Sequence, residues 1–196
     1  MKEAGPRAYV QRARAESAAA TADRIVGAVI EAFSETGTLP TLETVAERAG
    51  VTVQTVLRRF GSKQGLYEVA ASRARARIAA ERDAAPVGDV EGAIENLLDH
   101  YERWGDVALR MLAAEAQVPA SEPGSASEGR AFHRRWVERV FSPWLDELTG
   151  AAREQRVDQL VAVTDVYVWK LLARDLERSR RRIKATLVDL VTRTLG

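Results

Sequence analysis

The chain has 196 residues, with 29 Lys and Arg against 28 Asp and Glu, and no cysteine. This balance excludes a uniformly basic coat for nucleic acid, and the missing thiols exclude disulfides and thiolate metal sites. With no apolar leader and no run near the ~18 apolar residues a membrane helix needs, a cytoplasmic protein is expected. The charge is unevenly spread. Residues 1–82 hold 13 Lys and Arg against 9 Asp and Glu, and the remainder holds 16 against 19, so positive charge gathers in the first part.

Residues 1–20 are Ala-rich and polar and read as a flexible basic arm carrying Arg12 and Arg14. Ile25, Val29 and Phe33 mark one face of a helix expected from about Thr21 to Gly37. Leu42, Val45, Ala46 and Ala49 repeat at i, i+3, i+4 and i+7, and so do Val53, Val56, Leu57 and Phe60. Two short amphipathic helices follow from this, joined at Gly50, with Thr41 and Thr52 where N-caps belong. The solvent face of the second helix offers Gln54, Thr55, Arg58 and Arg59, an amide, a hydroxyl and two guanidiniums. Such groups read base edges and hold phosphates in a major groove, which makes the pair a candidate helix-turn-helix. A helical hairpin inside an ordinary bundle, with a solvated polar face, would show the same periodicity.

The neighbouring residues narrow this choice. Thr41, Val45 with Ala46, the Ala49-Gly50-Val51-Thr52 turn, the Gln54 to Phe60 run, and Ser62 with Lys63 before the next helix stand in one register. Together with the Ile25–Phe33 helix, this register resembles the N-terminal domain of the TetR family of bacterial transcriptional regulators. The resemblance covers Thr21 to Val69. It implies an all-α fold: a three-helix DNA-binding domain over 21–68, then a helical ligand-binding and dimerisation domain over 69–196. It also implies a homodimer on a palindromic operator in double-stranded DNA. DNA contacts are expected from Thr41, Thr52, Gln54, Thr55, Arg58, Arg59 and Lys63, while Arg12 and Arg14 either stay solvated or touch DNA beside the half-site. There are two departures. Leu57 stands where the family usually has Tyr and cannot donate to a phosphate. Arg59 stands where His is common and can make a stronger charge-assisted contact.

The fourth helix is expected from Ser62 to about Asp83, ended by Pro86-Val87-Gly88; in the family this helix links the two domains. Beyond it the chain reads as helical throughout. One helix carries Ala93 to Tyr101 and another Val107 to Ala116, with a long loop over Pro119–Glu128. A helix with Phe132, Trp136, Val137 and Phe141 is next, and Ser142-Pro143 either kinks it or starts a new one. Leu160 to Leu176 and Ile183 to Leu195 form the last two, with Ser179 as cap between them and Arg178 to Arg182 as a solvated corner. Their apolar stripes (Val157, Leu160, Val161, Thr164, Val168, Leu171 and Leu172; Ile183, Leu187, Leu190, Val191 and Leu195) serve either the chain's own core or a dimer interface. The resemblance favours the interface.

All four Trp and both His lie beyond residue 99. His100, Trp104, Met111, Phe132, Trp136, Asp165 and Trp169 are the candidate ligand-binding residues, because aromatic walls with a few polar groups suit a small-molecule site in a helical bundle. Core filling is the alternative for each. An apolar or aromatic effector would follow. No Glu-x-x-His, Gly-x-Gly-x-x-Gly or Walker pattern occurs, and no nucleophile–base set stands out, so neither an enzyme nor a cofactor or metal site is expected. The expected function is therefore a DNA-binding regulator, a repressor released by ligand. A constitutive DNA binder and a helical sensor that keeps the motif only as structure are its rivals.

Overall fold

The computed structural model describes the backbone of residues 6–115 and 125–196, and the side chains of 16–113 and 127–196. The described chain is all α, and it divides into two compact units between Ala76 and Arg77.

The first unit starts with α1, Pro6–Thr36. The helix begins well before Thr21, so residues 6–20 are not the flexible arm that their polarity suggested. Ala, Arg, Gln and Glu dominate this stretch, all strong helix formers, and Pro6 occupies the first helical position, where its missing N–H is harmless. Residues 1–5 and the side chains of Arg12 and Arg14 lie outside the described residues. Helix α2, Leu42–Ala49, and α3, Val53–Phe60, follow. Ile25, Val26, Val29 and Ile30 of α1 are buried, as are Val45, Ala46 and Ala49 of α2 and Val56 of α3. Helix α4 runs Lys63–Asp83, with the Ser62 hydroxyl accepting from Gly65 N–H at 3.0 Å as its cap. Leu66 and Ala70 of α4 are buried in the same unit. The unit thus extends into α4, past the boundary at residue 68 that the motif alone set.

The second unit takes the last two turns of α4 and the helices α5 (Val90–Glu115), α6 (Ser125–Val140), α7 (Ser142–Leu145), α8 (Gly150–Val163), α9 (Val166–Lys170) and α10 (Arg180–Leu195). Helix α5 is one piece, not two. Gly105, in the expected gap, is helical, and the Trp169 ring takes the space a side chain there would need, 2.5 Å from where a Cβ would lie. The loop expected over Pro119–Glu128 lies outside the described residues up to residue 124, and α6 already holds Ser125 to Glu128. Ser142 opens α7 rather than capping it, with Pro143 in the first turn, where no N–H is needed.

The expected helix from Leu160 to Leu176 is interrupted. Helix α8 ends at Thr164, Asp165 caps α9 by accepting Tyr167 N–H at 2.8 Å, and a π-helical turn over Leu171–Asp175 closes the segment. The Asp165 charge in an apolar run is thus an N-cap charge, and Lys170 pairs with Asp175 at 2.8 Å. Nor is the Arg178–Arg182 run simply a solvated corner. Arg180 is clasped by Glu95, Asp99 (2.7 Å) and Glu102 of α5, and Lys184 reaches Glu95 at 2.9 Å.

Ile183, Leu187 and Val191 of α10 are buried within the single chain, where α10 packs on α5 and α8, and Val157, Leu160 and Thr164 are buried too. These positions are filled by the chain's own core, while Leu190 and Leu195 of the same stripe are half-buried. Leu187→Ala should lower the unfolding free energy by roughly 2–5 kcal/mol in urea denaturation. Leu187→Glu should yield unfolded or insoluble protein; a folded monomer would show that α10 is an interface helix after all.

Candidate nucleic-acid interface and the polar centre of the second unit

Helix α2 stops at Gly50, whose φ of 64° is open to glycine at no steric cost. Val51 N–H reaches Ala46 O at 2.9 Å and Gly50 N–H reaches Glu47 O at 3.1 Å, which together fix the turn. Arg24 of α1 donates to the remaining carbonyl of Ala49 at 3.4 Å. Thr52 then starts α3, its hydroxyl accepting Thr55 N–H at 3.2 Å and lying 3.0 Å from the Thr55 hydroxyl. Thr41 caps α2 in the same way through Thr44 N–H, also at 3.2 Å. Both Thr therefore have a local capping role, with their hydroxyls still at the exposed starts of the helices.

Gln54, Arg58 and Arg59 of α3 are exposed, and Thr55 is half-buried beside them. Arg58 makes no internal hydrogen bond or ion pair among the described residues. Arg59 donates to the main-chain carbonyl of Ala18 on α1, so it must leave that carbonyl to contact anything else. Leu57 is 38% exposed on this helix, an apolar group of the kind that meets thymine methyls. Lys63 stands 5.6 Å over the Tyr67 ring, and Tyr67 donates to the Pro40 carbonyl. Lys63 lies near the start of α2 as well. The Glu43 carboxyl is held below its ordinary range by its own N–H and the Thr41 hydroxyl, with Lys63 adding to the effect. Thr41, Lys63 and the outer face of α3 thus surround the exposed end of the motif, with Glu43 as an acidic neighbour of Lys63.

The sequence model described as "Bacterial regulatory proteins, tetR family" matches residues 25–70, which span the Ile25 core of α1, both helices of the motif and the start of α4. Over residues 25–70 the chain is similar to the TetR family. A crystal structure of a transcriptional regulator from Rhodococcus sp. Rha1 shares the fold with a TM-score of 0.59 at 20% identity, over 89% of this chain and 95% of that one. No curated protein matches the chain. That model and that structure are both of transcriptional regulators.

In the second unit, the candidate ligand residues fall into different settings. Trp104, Trp136 and Trp169 are buried, and His100 and Phe132 are half-buried. Met111 is exposed farther along α5, and Asp165 is occupied as a cap. Trp169 is chiefly a packing residue, its ring against Gly105 and its face under Arg174, 4.7 Å from the ring centroid. His100 on α5 lies close enough to feel the charge of a group that sequence reading passed over: Arg82, in the last turn of α4 and 2% exposed. Its guanidinium lies flat on Trp136, 3.9 Å from the ring centroid, and its Nη2 is 3.3 Å from His133 Nδ1.

The hydrogen-bond directions there can be read in sequence. The Thr164 hydroxyl donates to Leu160 O at 2.6 Å, so it accepts from His133 Nε2 at 3.0 Å. That leaves His133 Nδ1 as the acceptor for Arg82. Tyr101 donates to Thr164 O at 2.8 Å. Burial, and then the Arg82 charge, push both imidazoles down to about 3, so both are neutral. Burial also pushes Arg82 down to about 10, which still leaves it charged at neutral pH. Nothing in the sequence separates Arg82 from its neighbours Arg73, Arg75 and Arg77, all exposed; only packing sets it apart.

The two histidines give a pH signature. Their folded pKa values lie below the unfolded value of about 6.5, so the unfolded chain binds more protons between pH 6.5 and 3. Their contribution is complete above pH 6.5 and is lost as the pH falls. Each should remove roughly 1.4 kcal/mol of stability per pH unit below that point. Urea midpoints should therefore drop between pH 6.5 and 5, above the range where Glu35, Glu95 and Asp106 begin to titrate, and His100→Gln with His133→Gln should flatten that slope.

Proposed function

We propose that the chain is a cytoplasmic repressor that binds a palindromic operator as a homodimer and leaves it when a small molecule occupies the second unit. The observation that carries DNA reading is the outer face of α3. Thr52 and Gly50 set the helix, and Gln54, Arg58 and Arg59 stand exposed on it, with Arg58 free of any internal partner among the described residues. An exposed, unpaired Arg on a helix held this firmly has no role in folding and suits a phosphate or a guanine edge. Thr41 and Thr52, freed at their hydroxyl rims, and Lys63 would hold the flanking phosphates.

A two-fold dimer would place two such helices on half-sites about one turn of DNA, ~34–36 Å, apart. Selection from a random DNA pool at fixed salt should recover a palindrome, with affinity falling steeply as salt rises. Arg58→Ala should cost ~1–3 kcal/mol, seen as lost discrimination at one base position if it reads guanine, or as uniform weakening if it holds phosphate. Unchanged binding by the Arg58→Ala, Arg59→Ala double variant would remove α3 from the interface.

With Ile183, Leu187 and Val191 buried inside the chain, the dimer surface in this reading lies on α9 and the π turn. Tyr167 and Leu171 are one turn apart and 56% and 49% exposed, a large apolar pair left open in the single chain. Tyr167→Glu with Leu171→Glu should give a folded monomer in light scattering, with operator affinity reduced because the two half-sites no longer bind together. A dimer that survives this change would place the interface elsewhere.

Ligand control is supported by the aromatic and polar centre around Trp104, Trp136 and His100 in the second unit. A ligand releases DNA only by preferring the DNA-free state, and a coupling of ~1–3 kcal/mol would weaken the operator 5–150-fold. A constitutive binder would show no ligand that changes operator affinity.

A further inference from the structure

The second unit contains an unneutralised charge. Arg82 is buried and protonated, yet its contacts are an imidazole nitrogen and the face of an indole, and no carboxylate among the described residues pairs with it. Every other Arg drawn into this unit's interior surface finds anions or carbonyls: Arg180 has three carboxylates, Arg134 has Glu154 and Asp158, and Arg139 has the carbonyls of Arg82 and Ala85. A buried cation without an anion is among the most unfavourable arrangements a core can hold.

Apart from Arg139 Nε, which has Asp83 Oδ1 3.8 Å away, five buried side-chain polar atoms among the described residues have no hydrogen-bond partner. They are Arg82 Nη1, His100 Nδ1, the indole nitrogens of Trp104 and Trp136, and Asn96 Oδ1. Asn96, His100 and Trp104 follow one another at i, i+4 and i+8, so they line one face of α5. The Asn96 amide fixes this face to α4 by donating to Glu81 O at 2.7 Å, and His100 is close enough to feel the charges of Arg82 and His133. Three of these five atoms can only donate a hydrogen bond, and one of the three carries a positive charge. Such a set calls for an acceptor of negative charge.

Resting on the reading of this unit as an effector-binding domain, we propose that Arg82 is the receptor for the carboxylate of an organic monoacid whose apolar body lies along Trp104, Trp136 and Tyr101. The carboxylate takes Arg82 Nη1 and the indole N–H groups, and His100 supplies whichever role its neutral ring leaves open. A monoanion fits better than a phosphate. The site holds one positive charge, both imidazoles are neutral, and a dianion would bury a second charge without a partner.

The test compares acids with their matching amides on the full-length protein and on Arg82→Met, which fills the same space without charge. Benzoate, phenylacetate, hexanoate and octanoate are set against benzamide, phenylacetamide, hexanamide and octanamide, read by thermal unfolding and Trp fluorescence. Arg82→Met removes the buried charge but leaves His133 Nδ1 without its donor, so binding to each protein is read as the shift from its own ligand-free Tm. At least one acid should raise the wild-type Tm saturably, and should bind ~10–100-fold more tightly than its amide, as charge-assisted hydrogen bonds to a buried guanidinium require. Arg82→Met should bind the pair alike.

Acid and amide binding equally to the wild type would overturn the proposal, as would an acid preference that persists in Arg82→Met, or a panel in which no acid binds. Operator binding separates this result from the wider reading. Acids that bind through Arg82 yet leave operator affinity unchanged would leave the receptor standing and remove ligand control. Neutral molecules that release the operator equally from the wild type and Arg82→Met would keep ligand control and remove the carboxylate receptor.

Discussion

The last turn of α4 is held by polar contacts from three sides, and the second unit is organised around it. Arg139 of α6 donates to the carbonyls of Arg82 and Ala85 at 2.9 and 3.1 Å, which satisfies the open end of the helix with a cation where the macrodipole is negative. Asn96 of α5 takes Glu81 O, and the Arg82 side chain enters the core to start the chain through His133 and Thr164 to Leu160 O. A single helix end thereby ties α4, α5, α6 and α8 together. Because each member donates to the next, the loss of one leaves others unsatisfied, and the effect of a substitution will exceed any single bond.

Elsewhere the second unit is held by ordinary packing and by charges near the surface. The acidic face of α5 meets Arg180 and Lys184 at the start of α10, which offsets the unfavourable placing of cations at a helix N-terminus. Half-exposed pairs of this kind contribute little singly, ~0–1 kcal/mol, but three carboxylates on one guanidinium fix its position. The apolar side of α10 is committed to the interior at the same time. Ile183, Leu187 and Val191 are thus used within one chain while Leu190 stays half-buried, which is why apolar periodicity by itself could not show which surface is left for a partner.

Local chemistry was legible in the sequence wherever it acts over a few residues. Thr41, Thr52 and Ser62 as caps, Gly50 as the turn, and the apolar spacing of α2 and α3 all appear in the structure as read, because capping and the 3.6-residue period need no distant partner. The start of α1 was missed because polarity was weighed above helix propensity between Pro6 and Ala20. The break at Thr164 was missed because Val, Ala and Leu run through it without a Gly or Pro, and only the Asp165 cap and the long-range bonds of Thr164 end the helix. Arg82 was illegible for a different reason. In the run Arg73, Arg75, Arg77 and Arg82, exposure is decided by what α5 and α6 bring to each position, and no spacing rule carries that information.

The choice of Arg rather than Lys at position 82 bears on what the centre can do. A lysine in such surroundings would relieve the buried charge by giving up its proton, since ammonium pKa values fall readily on burial. The guanidinium at about 10 keeps its proton at neutral pH, and the neighbouring imidazoles are already neutral and have none to give. Stacking on Trp136 softens the charge without cancelling it. Titration therefore offers no way to remove the imbalance among the described residues, and the proposed carboxylate would remove it. A protein that retains this imbalance when empty gives up some stability in that state, and recovers it only when an acceptor of the right charge arrives. That difference between empty and occupied states is the quantity a ligand-controlled switch requires.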